Sequence, residues 1–220
     1  MGDNFYIGSC RYQYLFNKYF PPRLHTTKEI INFLNNYNNI DLNMQDILYI
    51  YGDSIHGSVI NETQQFLNNP HILFNNNKFF LEISSKKYFW NINNSQIYNY
   101  FVVNIMNRNK EDLELIIQDE NEINEDIKII NELIINNFNC KQIYIISHVN
   151  LPLKELNTFI STRNELVIIL NKVCKNYNIK FIDIGKKILK LDYKIYMEDV
   201  LSDSTHYNNH IYSNIIKKYL

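Results

Sequence analysis

The sequence predicts an α/β fold in which helices cover a mostly parallel sheet of five strands. Five short runs of β-branched and aromatic residues are apolar almost throughout, which is typical of strands buried on both faces. They span 5–8, 47–51, 79–83, 143–147 and 179–184. Segments with helical spacing lie between them, and strands that alternate with helices indicate a three-layer, flavodoxin-like arrangement.

Three segments have the spacing of helices. The clearest is 110–135, where apolar residues recur at intervals of three or four with acidic residues between them. A second helix is predicted over 161–176, with Thr162 and Glu165 as a capping box at its start. A last helix is expected near 209–219.

The composition indicates a single globular domain, 1–220. Of the 220 residues, 45% are hydrophobic, which is enough to bury a core. A formal net charge of -1 argues against a nucleic-acid partner, because no basic excess can displace counterions from phosphates. No apolar run is long enough to span a membrane, and the N-terminus lacks the pattern of a signal peptide. We therefore expect a cytoplasmic protein without a membrane partner; its oligomeric state stays open.

We expect neither a metal site nor a cofactor. The three cysteines, Cys10, Cys140 and Cys174, show neither zinc-ligand spacing nor a disulfide framework, which fits a reducing compartment. The chain has five glycines, and none of them builds a glycine-rich phosphate loop after the first strand.

The first predicted strand ends in Gly8 and Ser9, followed by Cys10 and Arg11. A serine at the turn from a buried strand into a helix is well placed for a nucleophile, because N–H groups at the helix start can stabilise an oxyanion. The alternative is that Ser9 only caps the helix. Cys10 is a second candidate nucleophile, since a helix N-terminus favours the thiolate.

Asp203 and His206 stand near the other end of the chain, in the sequence Asp-Ser-Thr-His. A serine hydroxyl is a weak nucleophile until a base takes its proton, and the base works best when an acceptor orients it. An Asp three residues before a His can supply both groups from one loop. A surface Asp and a surface His remain the simpler interpretation of this motif alone.

Together, the Gly8-Ser9-Cys10 motif and the Asp203–His206 motif resemble the SGNH/GDSL hydrolase superfamily, within it the GSCFA-like branch. The resemblance follows the order of the blocks along the whole chain, and its specific motifs are the first and the last. It implies that Ser9 is the nucleophile, His206 the general base and Asp203 its orienting partner. It also implies an SGNH-type three-layer fold.

The resemblance assigns the oxyanion site to three blocks. The first strand end supplies the N–H of Ser9 or Cys10, and the second supplies Gly52. The superfamily places a Gly-x-Asn-Asp motif after the third strand, whereas this chain has Ser84 and Ser85 there. A serine hydroxyl or N–H would replace the missing asparagine. The fourth strand ends in Ser147 and His148, where GSCFA-like proteins have Ser-Pro.

Gly52-Asp53-Ser54 is a competing first block, since it spells Gly-Asp-Ser after the second predicted strand. The choice of Ser54 as nucleophile would leave the first strand unexplained, whereas Ser9 uses all five strands. We favour Ser9, and Asp53, Ser54 and His56 would then line the pocket as strand-end residues.

Several polar residues near the strand ends are candidate substrate contacts. Arg11 would clamp an anionic group or pair with Glu82, and a purely structural ion pair is the alternative. His148 would contact substrate or be a satisfied, half-buried histidine. Arg23 and His25, in a predicted loop, are further residues within reach of the site.

These observations predict a serine esterase or an O-acyl(acetyl)transferase that works through an acyl-enzyme. The carbohydrate or small-molecule ester substrate follows from the family resemblance alone. The alternative is a catalytically inactive SGNH-like protein that binds a glycan or a protein partner.

Overall fold

The fold is mixed α/β. The structure is a computed structural model, and it describes residues 4–9, 18–36, 78–105, 107–138, 140–191 and 196–197. The described strands, in chain order, are β1 Asn4–Gly8, β2 Lys18–Arg23, β3 Lys78–Ile83, β4 Lys87–Asn91, β5 Gln96–Asn99, β6 Leu113–Ile117, β7 Gln142–Ser147 and β8 Ile179–Ile182. The described helices are α1 Thr27–Asn36, α2 Tyr100–Ile105, α3 Glu120–Phe138, α4 Ser161–Val173 and α5 Ile184–Leu191, with a 3₁₀ turn at Cys174–Asn176.

The larger sheet is parallel, in the order β2-β1-β3-β7-β8. In its centre, Ile7 pairs with Leu81 and Leu81 pairs with Ile145. Four predicted strands are confirmed as β1, β3, β7 and β8, because continuous apolar runs suit strands covered on both faces. The fifth predicted strand, 47–51, and the predicted helix at 209–219 lie outside the described residues.

The strand β2 was not expected from the sequence, which suggested a loop around Pro21 and Pro22. It pairs with β1, and the pairing register shifts between Tyr6 and Gly8. Proline has no N–H to donate to a neighbouring strand, so it suits the edge of a sheet. Among the described strands, β2 is such an edge.

The smaller sheet is antiparallel, in the order β5-β4-β6, and it corrects the predicted helix over 110–135. Residues 113–117 form β6, and the helix α3 begins only at Glu120. Asp119 and Glu122 form a capping box there: Asp119 Oδ1 accepts the Glu122 N–H at 2.8 Å, and Glu122 Oε2 accepts the Asp119 N–H at 2.9 Å. The apolar spacing fits both structures, and pairing with the distant β4 decides for the strand.

The predicted helix at 161 is confirmed, but its predicted capping box is wrong. The N-cap residue is Ile160, and no side chain caps the helix start. Glu165 instead forms an ion pair with Lys86, with Nζ and Oε1 2.7 Å apart. The Glu165 side chain, which the local pattern assigned to the capping box, therefore forms a tertiary ion pair instead.

Two apolar clusters pack against the parallel sheet, because alternate side chains of each strand point to opposite faces. One cluster contains Phe5, Phe79 and Ile145 with buried residues of α1, α3 and α4. The other contains Tyr6 and Phe80 with residues of α5. In the described ranges, no helix has both the length and the apolar character needed to cross a membrane.

Replacement of Asp119 by alanine should lower the free energy of unfolding by about 1 kcal/mol, because the first turn of α3 loses its cap. Glu125→Ala is the matched control, since Glu125 is an exposed residue of the same helix. Urea unfolding measures both variants. Equal effects of the two substitutions would contradict the capping role.

Candidate functional site

The carboxyl-terminal ends of three neighbouring strands meet at one end of the parallel sheet. Ser9 directly follows β1, His25 lies just beyond β2, and Ser84 directly follows β3. These ends are neighbours, because β1 lies between β2 and β3. In open α/β sheets, ligands bind beyond the carboxyl ends of the strands. This carboxyl-terminal end of the sheet is therefore the candidate functional site.

Backbone hydrogen bonds join the three ends. The Leu24 N–H donates to the carbonyl oxygen of Gly8 at 3.3 Å. The carbonyl oxygen of the next residue, His25, accepts the N–H groups of Ser84 at 2.9 Å and Ser85 at 3.0 Å. The segment that leaves β2 thus bridges the ends of β1 and β3.

Ser9 is bound to a buried carboxylate at the end of β3. Glu82 Oε2 accepts the Tyr6 hydroxyl at 2.6 Å, the Ser9 N–H at 3.0 Å and also the Ser9 hydroxyl. All three residues are fully buried. A buried carboxylate is costly unless donors satisfy it, and here several donors converge on one oxygen. Among the described residues, Glu82 has Ser9 and Tyr6 as partners. The predicted pairing of Arg11 with Glu82 stays a prediction, because Arg11 lies outside the described residues.

Gly8 makes this arrangement possible by leaving space for it. A Cβ atom at this position would lie 2.6 Å from the Cβ of Glu82 and 2.6 Å from the hydroxyl oxygen of Tyr6. Both distances are far below van der Waals contact. Only glycine allows β1 to approach Glu82 and Tyr6 this closely.

His25 and Ser84 form a second polar contact at the same end of the sheet. His25 Nδ1 lies 2.7 Å from Ser84 Oγ, and both side chains are buried. The imidazole packs against the ring of Phe101, with a centroid distance of 4.7 Å. The sequence only suggested that His25 is within reach of the site; the structure brings it to the residue after β3.

A capping box at the start of α1 holds the backbone of His25. Glu29 Oε2 accepts the N–H of His25 at 2.5 Å and of Thr26 at 2.9 Å, and Thr26 Oγ1 accepts the Glu29 N–H at 3.2 Å. This box was not among the predicted features, although Thr-x-x-Glu before an apolar run is the signature of a capping box. Glu29 Oε1 is buried and has no hydrogen-bond partner among the described residues. Burial raises the pKa of Glu29 from 4.5 to about 7.

Two other predicted residues have local partners. The Ser85 hydroxyl accepts the Lys87 N–H at 3.0 Å, so it belongs to the turn into β4. His148 is buried after β7, with Nδ1 3.0 Å from the carbonyl oxygen of Val149. Both donors of Ser85 already have acceptors, the carbonyl oxygens of His25 and Lys87, so an oxyanion role for Ser85 would require one of these bonds to break. A substrate contact for His148 remains a prediction.

Eight predicted site residues lie outside the described residues. They are Cys10, Arg11, Gly52, Asp53, Ser54, His56, Asp203 and His206. Of the predicted catalytic residues, the structure therefore describes Ser9. The choice between Ser9 and Ser54, and the pairing of Asp203 with His206, stay predictions.

No protein-family model, no curated protein and no solved structure matches the chain. The geometry of the strand ends and the sequence motifs therefore carry the evidence for a function.

Replacement of Tyr6 by phenylalanine should cost about 1–3 kcal/mol in the free energy of unfolding, because it removes a donor from the buried carboxylate of Glu82. Tyr177→Phe is the control, since the Tyr177 hydroxyl makes only a 3.5 Å contact with the carbonyl oxygen of Asn124. Urea unfolding compares the two. A loss no greater for Tyr6 than for Tyr177 would show that the phenol is dispensable.

The raised pKa of Glu29, about 7 against 4.5, makes stability depend on pH. The folded chain holds this proton more tightly than the unfolded chain. The stabilisation is therefore complete below about pH 4.5 and is lost as the pH rises through about 7. At about 1.4 kcal/mol for each pKa unit, the loss amounts to about 3–4 kcal/mol.

Glu29→Gln should remove this dependence, because it keeps an acceptor for the two N–H groups but cannot ionise. The free energy of unfolding, measured between about pH 5 and pH 8, should fall less in this variant than in the wild type. Glu125→Gln, at an exposed position of α3, should behave like the wild type. Parallel curves for wild type and Glu29→Gln would refute the assignment.

Proposed function

We propose that the protein is a serine-dependent esterase or O-acyltransferase that acts on an acylated small molecule or carbohydrate. Its fold would then be the SGNH type of three-layer α/β/α domain with a five-stranded sheet. The observation that carries the proposal is the position of Ser9 at the carboxyl end of β1, with its hydroxyl bound to the Glu82 carboxylate.

In the proposed reaction, the Ser9 hydroxyl attacks the ester carbonyl while His206, oriented by Asp203, takes its proton. The tetrahedral oxyanion collapses, and the alcohol leaves with the proton from His206. Water or a sugar hydroxyl then attacks the acyl-enzyme and releases the acid or the new ester. Whether water or the sugar hydroxyl attacks distinguishes the esterase from the transferase.

Glu82 gives the site a feature that the sequence motifs did not suggest. Its carboxylate accepts both the N–H and the hydroxyl of Ser9, so it holds the serine in one orientation. For reaction, the Ser9 proton must pass from this bond to His206. Glu82→Gln retains an acceptor oxygen but loses the charge, so it tests how much the reaction depends on the carboxylate.

A second candidate function is the inactive binding protein. The complete burial of Ser9 supports it, because an ester must reach the hydroxyl of a nucleophile. In that case the contact between Ser9 and Glu82 would only stabilise the strand ends. The polar residues at the carboxyl-terminal end of the sheet would then bind a glycan or a protein partner.

A fluorophosphonate probe with intact-mass detection decides between the two functions. We expect one adduct on the wild type, none on Ser9→Ala or His206→Ala, and an unchanged adduct on Ser54→Ala. Ser161→Ala is the control, since Ser161 is an exposed residue of α4. Loss of the adduct only in Ser54→Ala would move the nucleophile to Ser54. A folded wild type that takes no adduct would favour the binding protein.

A further inference from the structure

His25 and Ser84 are joined by side-chain and backbone contacts although they are 59 residues apart in the chain. Their side chains meet at 2.7 Å, between Nδ1 and Oγ. In addition, the carbonyl oxygen of His25 accepts the N–H groups of Ser84 and Ser85. The two backbone N–H groups after β3 are therefore already engaged, and they have no proton left for a ligand.

The hydroxyl of Ser84 is the remaining donor in this pair of serines, because the Ser85 hydroxyl belongs to the turn with Lys87. A hydroxyl has one proton and two lone pairs. If His25 Nδ1 accepts that proton, Ser84 has nothing to donate to a ligand. If Nδ1 carries its own proton and donates it, the Ser84 proton is free to point elsewhere.

The position of the imidazole is well defined. Its ring packs against Phe101, and its backbone N–H is held by the carboxyl group of Glu29. Only 7% of His25 and 8% of Ser84 is exposed, so water competes little for the bond between them. Whether His25 Nδ1 carries a proton therefore decides whether the Ser84 hydroxyl can donate its own proton to a ligand.

We infer that His25 is a positioning residue, which donates its Nδ1 proton to Ser84 Oγ and thereby directs the Ser84 proton toward the oxyanion of the ester substrate. The inference rests on the proposed function. Ser84 stabilises the charge that develops on the carbonyl oxygen after attack by Ser9, and this stabilisation acts in the transition state.

The test uses p-nitrophenyl acetate as substrate and a pair of nearly isosteric substitutions. Ser84→Ala should lower kcat by about 10²–10³-fold with little change in KM, as for other oxyanion donors. His25→Asn should retain most of kcat, because its amide can donate a proton at the position of Nδ1. His25→Asp should lower kcat like Ser84→Ala, because a carboxylate can only accept the Ser84 proton.

A double variant separates this effect from simple repulsion by the new charge. If the carboxylate introduced at position 25 acts through Ser84, the addition of Ser84→Ala to His25→Asp should lower kcat no further. Two losses that multiply would overturn the inference. Thermal unfolding of each variant shows whether it folds.

An NMR measurement tests the inference without activity. In long-range ¹H–¹⁵N spectra of the wild type, the His25 signals should show a protonated Nδ1, and His25→Asn identifies them by their loss. An unprotonated Nδ1 at neutral pH would overturn the inference even if Ser9 takes the fluorophosphonate. A normal kcat of Ser84→Ala would do the same. If Ser9 of the wild type takes no adduct, the proposed function fails and this inference fails with it.

Discussion

The candidate site depends on the burial of the Glu82 carboxylate beneath the ends of two parallel strands. The register that pairs Ile7 with Leu81 brings the end of β1 to Glu82. A carboxylate in this position must receive hydrogen bonds, and the Tyr6 hydroxyl and the two donors of Ser9 supply them. The absence of a side chain at Gly8 leaves the space that these contacts need.

The second part of the site depends on how α1 is anchored. Fully buried Asp126 of α3 accepts the Thr27 hydroxyl at 2.6 Å and the Gln118 amide at 2.7 Å. This network joins the start of α1 to α3 and to the end of β6. His25 lies two residues before that helix, so its contact with Ser84 depends on how the helix is anchored. A substitution in this network should therefore also affect the contact between His25 and Ser84.

The local apolar pattern predicts some elements of the fold and not others. The four confirmed strands were predictable, because a short apolar run is a local signal of a strand buried on both faces. The strand β6 was mistaken for part of a helix, because Leu113, Ile116 and Ile117 fit either structure and its partner β4 lies far away in the chain. The capping box of Thr26 and Glu29 was equally local, and the pattern alone would have found it.

By itself, the sequence determined the α/β class, four strands of the parallel sheet and the position of Ser9 and Ser84 at strand ends. These features follow from hydrophobic patterns within short segments. Only the tertiary structure decided that Ser9 meets Glu82 and that His25 meets Ser84. These contacts join residues 73 and 59 positions apart, and they depend on strand order and register, about which a local pattern carries no information.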